Sequence, residues 1–342
     1  MRTIQEHKIA KGSGKNRSNL GYIEIDRLSH LLLQQRSRSG EYRDSNWRES
    51  YYFNVTDEKK QLSLITTIGI LPNRRRCSGF VIILHKGKIE VAKLLFSKDI
   101  RWHETHRFCL GELSYRVEGI DWRLRYRSKK CSFDMLFRPV NEFYSYHKEG
   151  DEKGPGNFER LFSQHIEQAG LFQGYITMNE EQMCFGPSFG HRDHSWGIRN
   201  WSSIDSYWLF SCTFGKKRAF NLWKGSSQGN KFHAGYIFNS QRNLEIISSE
   251  IKDQYANDMG EPRGCEISFT DERKDAHRVI CEVICSVPIP MPKCIIYETI
   301  AKMEYENEVG FGLMERLVRD TNPFHKVKAL IDFSKRSRRR GR

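Results

Sequence analysis

Gly190-His191-Arg192-Asp193-His194-Ser195-Trp196-Gly197-Ile198-Arg199-Asn200-Trp201 sets two His, two Arg, one Asp and two Trp within twelve residues. In an extended strand alternate side chains share a face, so His191, Asp193 and Ser195 point one way and Arg192, His194 and Trp196 the other. Two readings follow. One is a proton-handling imidazole beside an indole. The other is a buried charge network, because Arg and Asp survive in a core only when paired.

Outward from this stretch the chain keeps a period of two. On the N-terminal side, Ser63 to Ile70 and Gly79 to Leu84 are β-rich runs separated by the turn signal Pro72-Asn73, and His85 to Lys88 reads as a hairpin loop before Ile89 to Phe96. Leu113 to Ile120, Trp122 to Arg127 and Ser132 to Arg138 follow. In Trp122 to Arg127 the alternation puts Trp122, Leu124 and Tyr126 on one face and three Arg on the other. Strands resume from Gly170. On the C-terminal side Tyr207 to Thr213, Ala219 to Lys224, Ala234 to Asn239, Leu244 to Ser248, Glu266 to Phe269, Val279 to Val287 and Ile295 to Tyr305 repeat the rhythm. Pro288, Pro290 and Pro292 mark an edge or a crossover, and Glu315 to Asp320 and Pro323 to Phe333 read as short helical segments.

Short antiparallel strands at regular spacing predict an all-β chain of two barrel- or sandwich-like domains. The charged, Gly-rich run Lys148 to Gly156 serves as the linker. The expected layout is an arm over residues 1–46, with a helix at Leu28 to Leu33 capped by Ser29 or Asp26. Domains over 47–150 and 155–325 follow, then a basic tail over 326–342.

The Gly-x-Arg-Asp-His-Ser-Trp-Gly-x-Arg-x-Trp pattern resembles the hallmark of the tandem lipocalin-like family. That family includes carotenoid hydratase (hydroxyneurosporene synthase) and, more remotely, lipocalin-like Diels–Alderases and other cyclases. Glu49 to Asn54 resembles its opening strand, and His165 to Gly170 with Gly174 the entry to its second half. Tyr297-Glu298 and Gly310 to Glu315 resemble its closing hairpin, so the likeness runs over roughly residues 47 to 320. It implies two lipocalin-like β domains, with His194 and Trp196 in catalysis: an alkene is protonated, the cation is held by an aromatic face, and water captures it. Where the hydratases carry a Tyr-x-Asp pair this chain has Phe220-Asn221-Leu222-Trp223. Asp193 is the nearby substitute acid, although Arg192 and Arg199 beside it lower its pKa.

Composition limits the alternatives. The 342 residues suggest about two domains, and 38% hydrophobic residues suffice for real cores. Mean hydropathy is −0.66. The longest aliphatic run, Phe80 to Leu84, is far short of the roughly 20 residues of a membrane span, and Met1 to Leu20 has no secretory apolar core. Nine scattered Cys, with Cys281 and Cys285 the one close pair, read as reduced thiols of a cytoplasmic protein.

The net charge of +14 is concentrated in Arg74 to Arg76 and in Lys335 to Arg342. Such a tail is either a solvated end or a weak contact for an anionic membrane. No nucleic-acid-binding motif accompanies it. A metal site from His191, Asp193 and His194, joined by His233 or His165, is not compelled by any spacing, and Gly12-Ser13-Gly14-Lys15 lacks the setting of a phosphate loop.

The expectation is a cofactor-independent cyclase or hydratase-like enzyme for a hydrophobic isoprenoid or polyketide-like molecule, bound in a barrel or between the domains. Its catalytic candidates are His194, Asp193 and Arg192, with Trp196, Trp201, His191, Arg199, Asn221 and Trp223 forming the binding wall. The competing expectation is a non-catalytic carrier of such a ligand.

Overall fold

The computed structural model describes residues 44–98, 107–146, 164–199, 201–291 and 293–338. The expected arm helix at Leu28 to Leu33, the expected linker at Lys148 to Gly156 and the last four residues lie outside these.

The alternating sequence folds into antiparallel strands. The first eight are β1 (Trp47–Asp57), β2 (Leu62–Leu71), β3 (Arg76–His85), β4 (Lys88–Ser97), β5 (Arg107–Leu110), β6 (Leu113–Glu118), β7 (Asp121–Arg127) and β8 (Cys131–Pro139). With β9 (Tyr144–Ser145), β10 (Gln164–Met178) and β11 (Glu181–Ile198) they form one eleven-stranded sheet. Its order is β4-β3-β2-β1-β11-β10-β8-β7-β6-β5, with β9 on the flank of β10. The sheet curls around a core that includes Tyr51, Phe53, Tyr115, Trp122, Phe137 and Phe172.

A closed eight-stranded barrel follows. It comprises β12 (Ile204–Phe214), β13 (Arg218–Ser227), β14 (Asn230–Phe238), β15 (Asn243–Tyr255), β16 (Pro262–Asp271), β17 (Ala276–Pro290), β18 (Cys294–Tyr305) and β19 (Glu308–Arg319). Phe210, Phe220, Ile267 and Met303 are among the residues that fill it. Helix α1 (Pro323–Arg338) packs against β17 and β4. The fold is thus two tandem antiparallel β units, as the period of two predicts.

The division between the units is not where composition placed it. β10 and β11, expected in the second domain, complete the first sheet: β11 pairs with β1 from Trp47↔Ile198 to Val55↔Gly190, and β10 pairs with β8 from Gly170↔Pro139 to Met178↔Cys131. The boundary therefore falls at residues 199–203, because ladder pairing rather than a Gly-rich stretch decides which sheet a strand joins.

Glu315 to Asp320, read as helical, largely belongs to β19, whose partners β12 and β18 hold it extended. Residues 326–338 of the expected tail continue α1. Pro288 and Pro290 lie in β17 opposite Tyr297 and Ile295. β17 pairs with β16 only as far as Glu282, so both prolines turn their missing N–H to a flank without a ladder partner, which is the edge position proline requires.

The two units pack outer face to outer face. Odd-numbered residues of β1 enter the first core, whereas Tyr52 joins Tyr207, Leu209, Trp223 and Leu313 in an apolar cluster between the units. This double cover explains why β1 is buried nearly throughout.

Candidate functional site

The alternation expected of the His-Arg-Asp-His segment holds in β11, and it separates the expected site residues. Arg192 and His194 enter the first core. The Arg192 Nε donates to Gln168 Oε1 at 2.7 Å and its guanidinium lies 5.4 Å from the Trp122 ring. The His194 Nε2 is 3.0 Å from Glu49 Oε1, and its ring stacks on Tyr51 at 4.2 Å. Trp196 packs on the same core beside His194. These three are positioned as cement of the first unit.

The opposite face of β11 looks into a pocket between the units, with a volume of about 220 Å³. The first sheet contributes Arg48, Ser50, Tyr52, His165, Asp193 and Ser195, and the barrel contributes Tyr207, Leu209, Trp223, Glu298 and Glu315. Arg199 and Trp201 line it from the connection between them, and Phe96, itself 75% exposed, lines it where it opens to solvent. Of the nine expected residues, Asp193, Arg199, Trp201 and Trp223 line the pocket. His191 is buried beside it, and burial lowers its pKa to about 3. Asn221 is buried as the acceptor for the Tyr146 hydroxyl.

The pocket's chemistry sits largely on residues not selected from the sequence. The register Ile296↔Leu317 and Ile300↔Leu313 brings Glu298 and Glu315 across from one another on the outer face of the barrel. Tyr52 donates to Glu298 Oε2 at 2.8 Å and Tyr207 donates to Glu315 Oε1. Burial is the largest cause raising both carboxyl groups, and the negative charge of Glu315 pushes Glu298 well above the carboxylate range. Burial and mutual charge thus favour a proton on the pair, most strongly at Glu298.

A second cluster adjoins the first. His165 Nε2 is 3.3 Å from Glu167 Oε1 and 3.6 Å from Asp193 Oδ2. Burial alone would lower His165, but the carboxylates of Asp193 and Glu167 outweigh it and raise the group to about 9. Burial raises Glu167 to about 7, against the pull of His165. Trp223 lies edge-on to the His165 ring at 5.3 Å.

Two cations complete the site. Arg199 donates to Ser50 Oγ at 3.1 Å and to Ser195 Oγ, and burial together with the charge of Arg48 lowers it to about 9. Arg48 has room because residue 69 is Gly: a Cβ there would fall 2.1 Å from Arg48 Nη2.

His191 and His194 point to opposite faces of β11, so the metal set weighed from the sequence is not assembled. The cluster His165, Glu167 and Asp193 has ligand atoms within 4.8 Å of one another and is the set, among the described residues, with the spacing for a metal. A signal for one of the missed carboxyls was available: Glu298 is the single charge in the run Cys294 to Ala301, whereas Glu315 stands next to Arg316 and near Arg319 and reads as part of a solvent-facing end.

The family described as "Domain of unknown function (DUF7064)" matches residues 38–318. The chain belongs to this family. No curated protein matches the DUF7064 chain in sequence. Solved structures share its fold. A Nitrosomonas europaea protein described as AttH is 10% identical with a TM-score of 0.61, over 79% of this chain and 92% of its own. Kievitone hydratase from Nectria haematococca is 11% identical with a TM-score of 0.58, over 80% and 89%. CghA with Sch210972 is 10% identical with a TM-score of 0.61, over 80% and 89%. The whole tandem arrangement is therefore the lipocalin-like fold that the motif resemblance implies.

Proposed function

We propose that this chain is a hydratase- or cyclase-type enzyme that takes an apolar, isoprenoid- or polyketide-like molecule into the pocket between its two β units. The proton donor is the Glu298–Glu315 carboxyl pair. The observation that carries this reading is a pair of buried carboxyl groups facing one another in a largely apolar pocket, where burial and mutual charge favour the protonated form of Glu298. General acid catalysis on a weakly basic carbon needs such a group, and a solvated carboxylate at pH 7 cannot serve.

In the step envisaged, an alkene π pair takes the Glu298 proton and leaves a carboxylate and a carbocation. The aromatic faces of Trp223 and Tyr207 lie along the wall to stabilise the cation. Either water adds and returns a proton to the carboxylate pair, or a second π bond of the substrate closes a ring and proton loss follows. The pocket is below the roughly 300–1,000 Å³ of typical ligand sites, so it would take the reacting end of a long molecule, with the remainder leaving past Phe96. That proteins of this fold include kievitone hydratase, and CghA crystallised with Sch210972, supports the reading.

The test has two stages. Infrared difference spectra near pH 7 should show a protonated-carboxyl C=O stretch that is lost in Glu298→Gln. Organic extraction of the protein from its own source should then supply a ligand, on which Glu298→Gln and Glu315→Gln lower turnover about 100-fold or more while leaving binding within severalfold. Bound ligand with no turnover by the native chain would instead make it a carrier.

A further inference from the structure

We propose that helix α1 and its basic extension dock the protein on an anionic lipid surface, with the mouth of the pocket facing the bilayer. Ala329 and Phe333 hold the helix to the body: Ala329 sits against Ile295 and Tyr297, and Phe333 joins the inter-unit cluster with Leu94, Ile289 and Met291 beside it. The other side of the helix is apolar and uncovered among the described residues. Phe324 is 81% exposed, Val327 53%, Leu330 48% and Ile331 44%. At 100° per residue these four fall within one third of the circumference.

Six of the eight residues 335–342 are Lys or Arg. Residues 335–342 contribute by charge alone. An exposed apolar stripe running into a block of cations is the pattern of a helix lying in the headgroup boundary, where apolar side chains partition and cations meet anionic lipid. A protein partner would satisfy the apolar stripe but gives no reason for the adjoining charge. The position of the helix adds a functional argument. It packs on β4 and β17, whose Leu94, Phe96, Ile289 and Pro290 line the pocket, and exposed Phe96 extends the apolar surface to the opening. Transfer of a lipid-soluble substrate from bilayer to pocket rests on the proposed function. Docking does not.

The experiment is co-sedimentation of the full chain with neutral phosphatidylcholine vesicles and with vesicles containing phosphatidylglycerol, over a range of salt. The native chain should pellet with anionic vesicles and release as salt rises. Phe324→Ser/Val327→Ser/Leu330→Ser/Ile331→Ser should weaken this at least tenfold with an unchanged melting temperature. Replacing Lys335, Arg336 and Arg338 by Gln should weaken it about fivefold per cation.

No pelleting by the native chain would overturn the proposal. So would full binding by the Ser variant, which would leave a purely electrostatic tail. Concentration-dependent dimers abolished by the Ser variant, without vesicle binding, would assign the stripe to a second copy. Glu298→Gln should bind vesicles like the native chain, so failure of the acid reading and failure of docking are separable.

Discussion

His194 and Glu298 show how little the identity of a titratable residue says about its task. His194 belongs to the conspicuous motif, yet its partners are Glu49 and Tyr51 within the first core. We expect His194→Ala to lower stability by about 2–4 kcal/mol, because the buried Glu49 keeps the Tyr51 hydroxyl but loses the imidazole, and a cavity opens beside Tyr51, while activity per folded molecule stays near native. Urea melts and assays at matched folded fraction check this. His165 gives a pH prediction. Its folded pKa is about 9, against an ordinary 6.5, so the folded state holds a proton that the unfolded chain releases between those values. The stabilisation is complete below pH 6.5 and is lost as pH rises toward 9. Glu167, raised to about 7, acts in the same direction between 4.5 and 7. His191, lowered to about 3, works oppositely and stabilises as pH rises from 3 to 6.5. Melting temperature should therefore fall between pH 6.5 and 9, and His165→Gln should flatten that fall. An unchanged slope in the variant would contradict the assignment.

At the scale of elements, each functional side chain is placed by strand parity and register. β1 sends Tyr51 and Phe53 inward and Tyr52 outward, and β12 sends Phe210 inward and Tyr207 outward. The two outward tyrosines meet the two outward glutamates of β18 and β19. A one-residue slip of β18 or β19 would turn its glutamate into the barrel core, and a slip of β1 or β12 would turn its tyrosine away from the pair. Close approach matters equally. Gly69→Ala puts a methyl group 2.1 Å from Arg48 Nη2, so the guanidinium must leave its place above β2. We expect a loss of about 1–3 kcal/mol and, on the proposed function, altered ligand affinity; a melt and a titration with the extracted ligand read both.

At the scale of the molecule, the seam between the units holds the pocket together. Trp223 is buried there against His165, Tyr207 and Phe232. Trp223→Ala should cost about 3–5 kcal/mol. Calorimetry of the native chain should show one transition, because neither unit keeps its outer face covered alone; two separated transitions would show the seam to be weak. The sequence by itself determined the all-β class, the positions of most strands, the parity of the His-Arg-Asp-His segment and the lipocalin-like resemblance. These rest on local periodicity and on one dense motif. Tertiary structure decided which sheet β10 and β11 join, which face of the motif meets the pocket, and that Glu298 and Glu315, seventeen positions apart and distant from that motif, face one another as a buried carboxyl pair. Periodicity specifies that alternate residues share a face, but only strand pairing and the docking of the two units specify what each face meets.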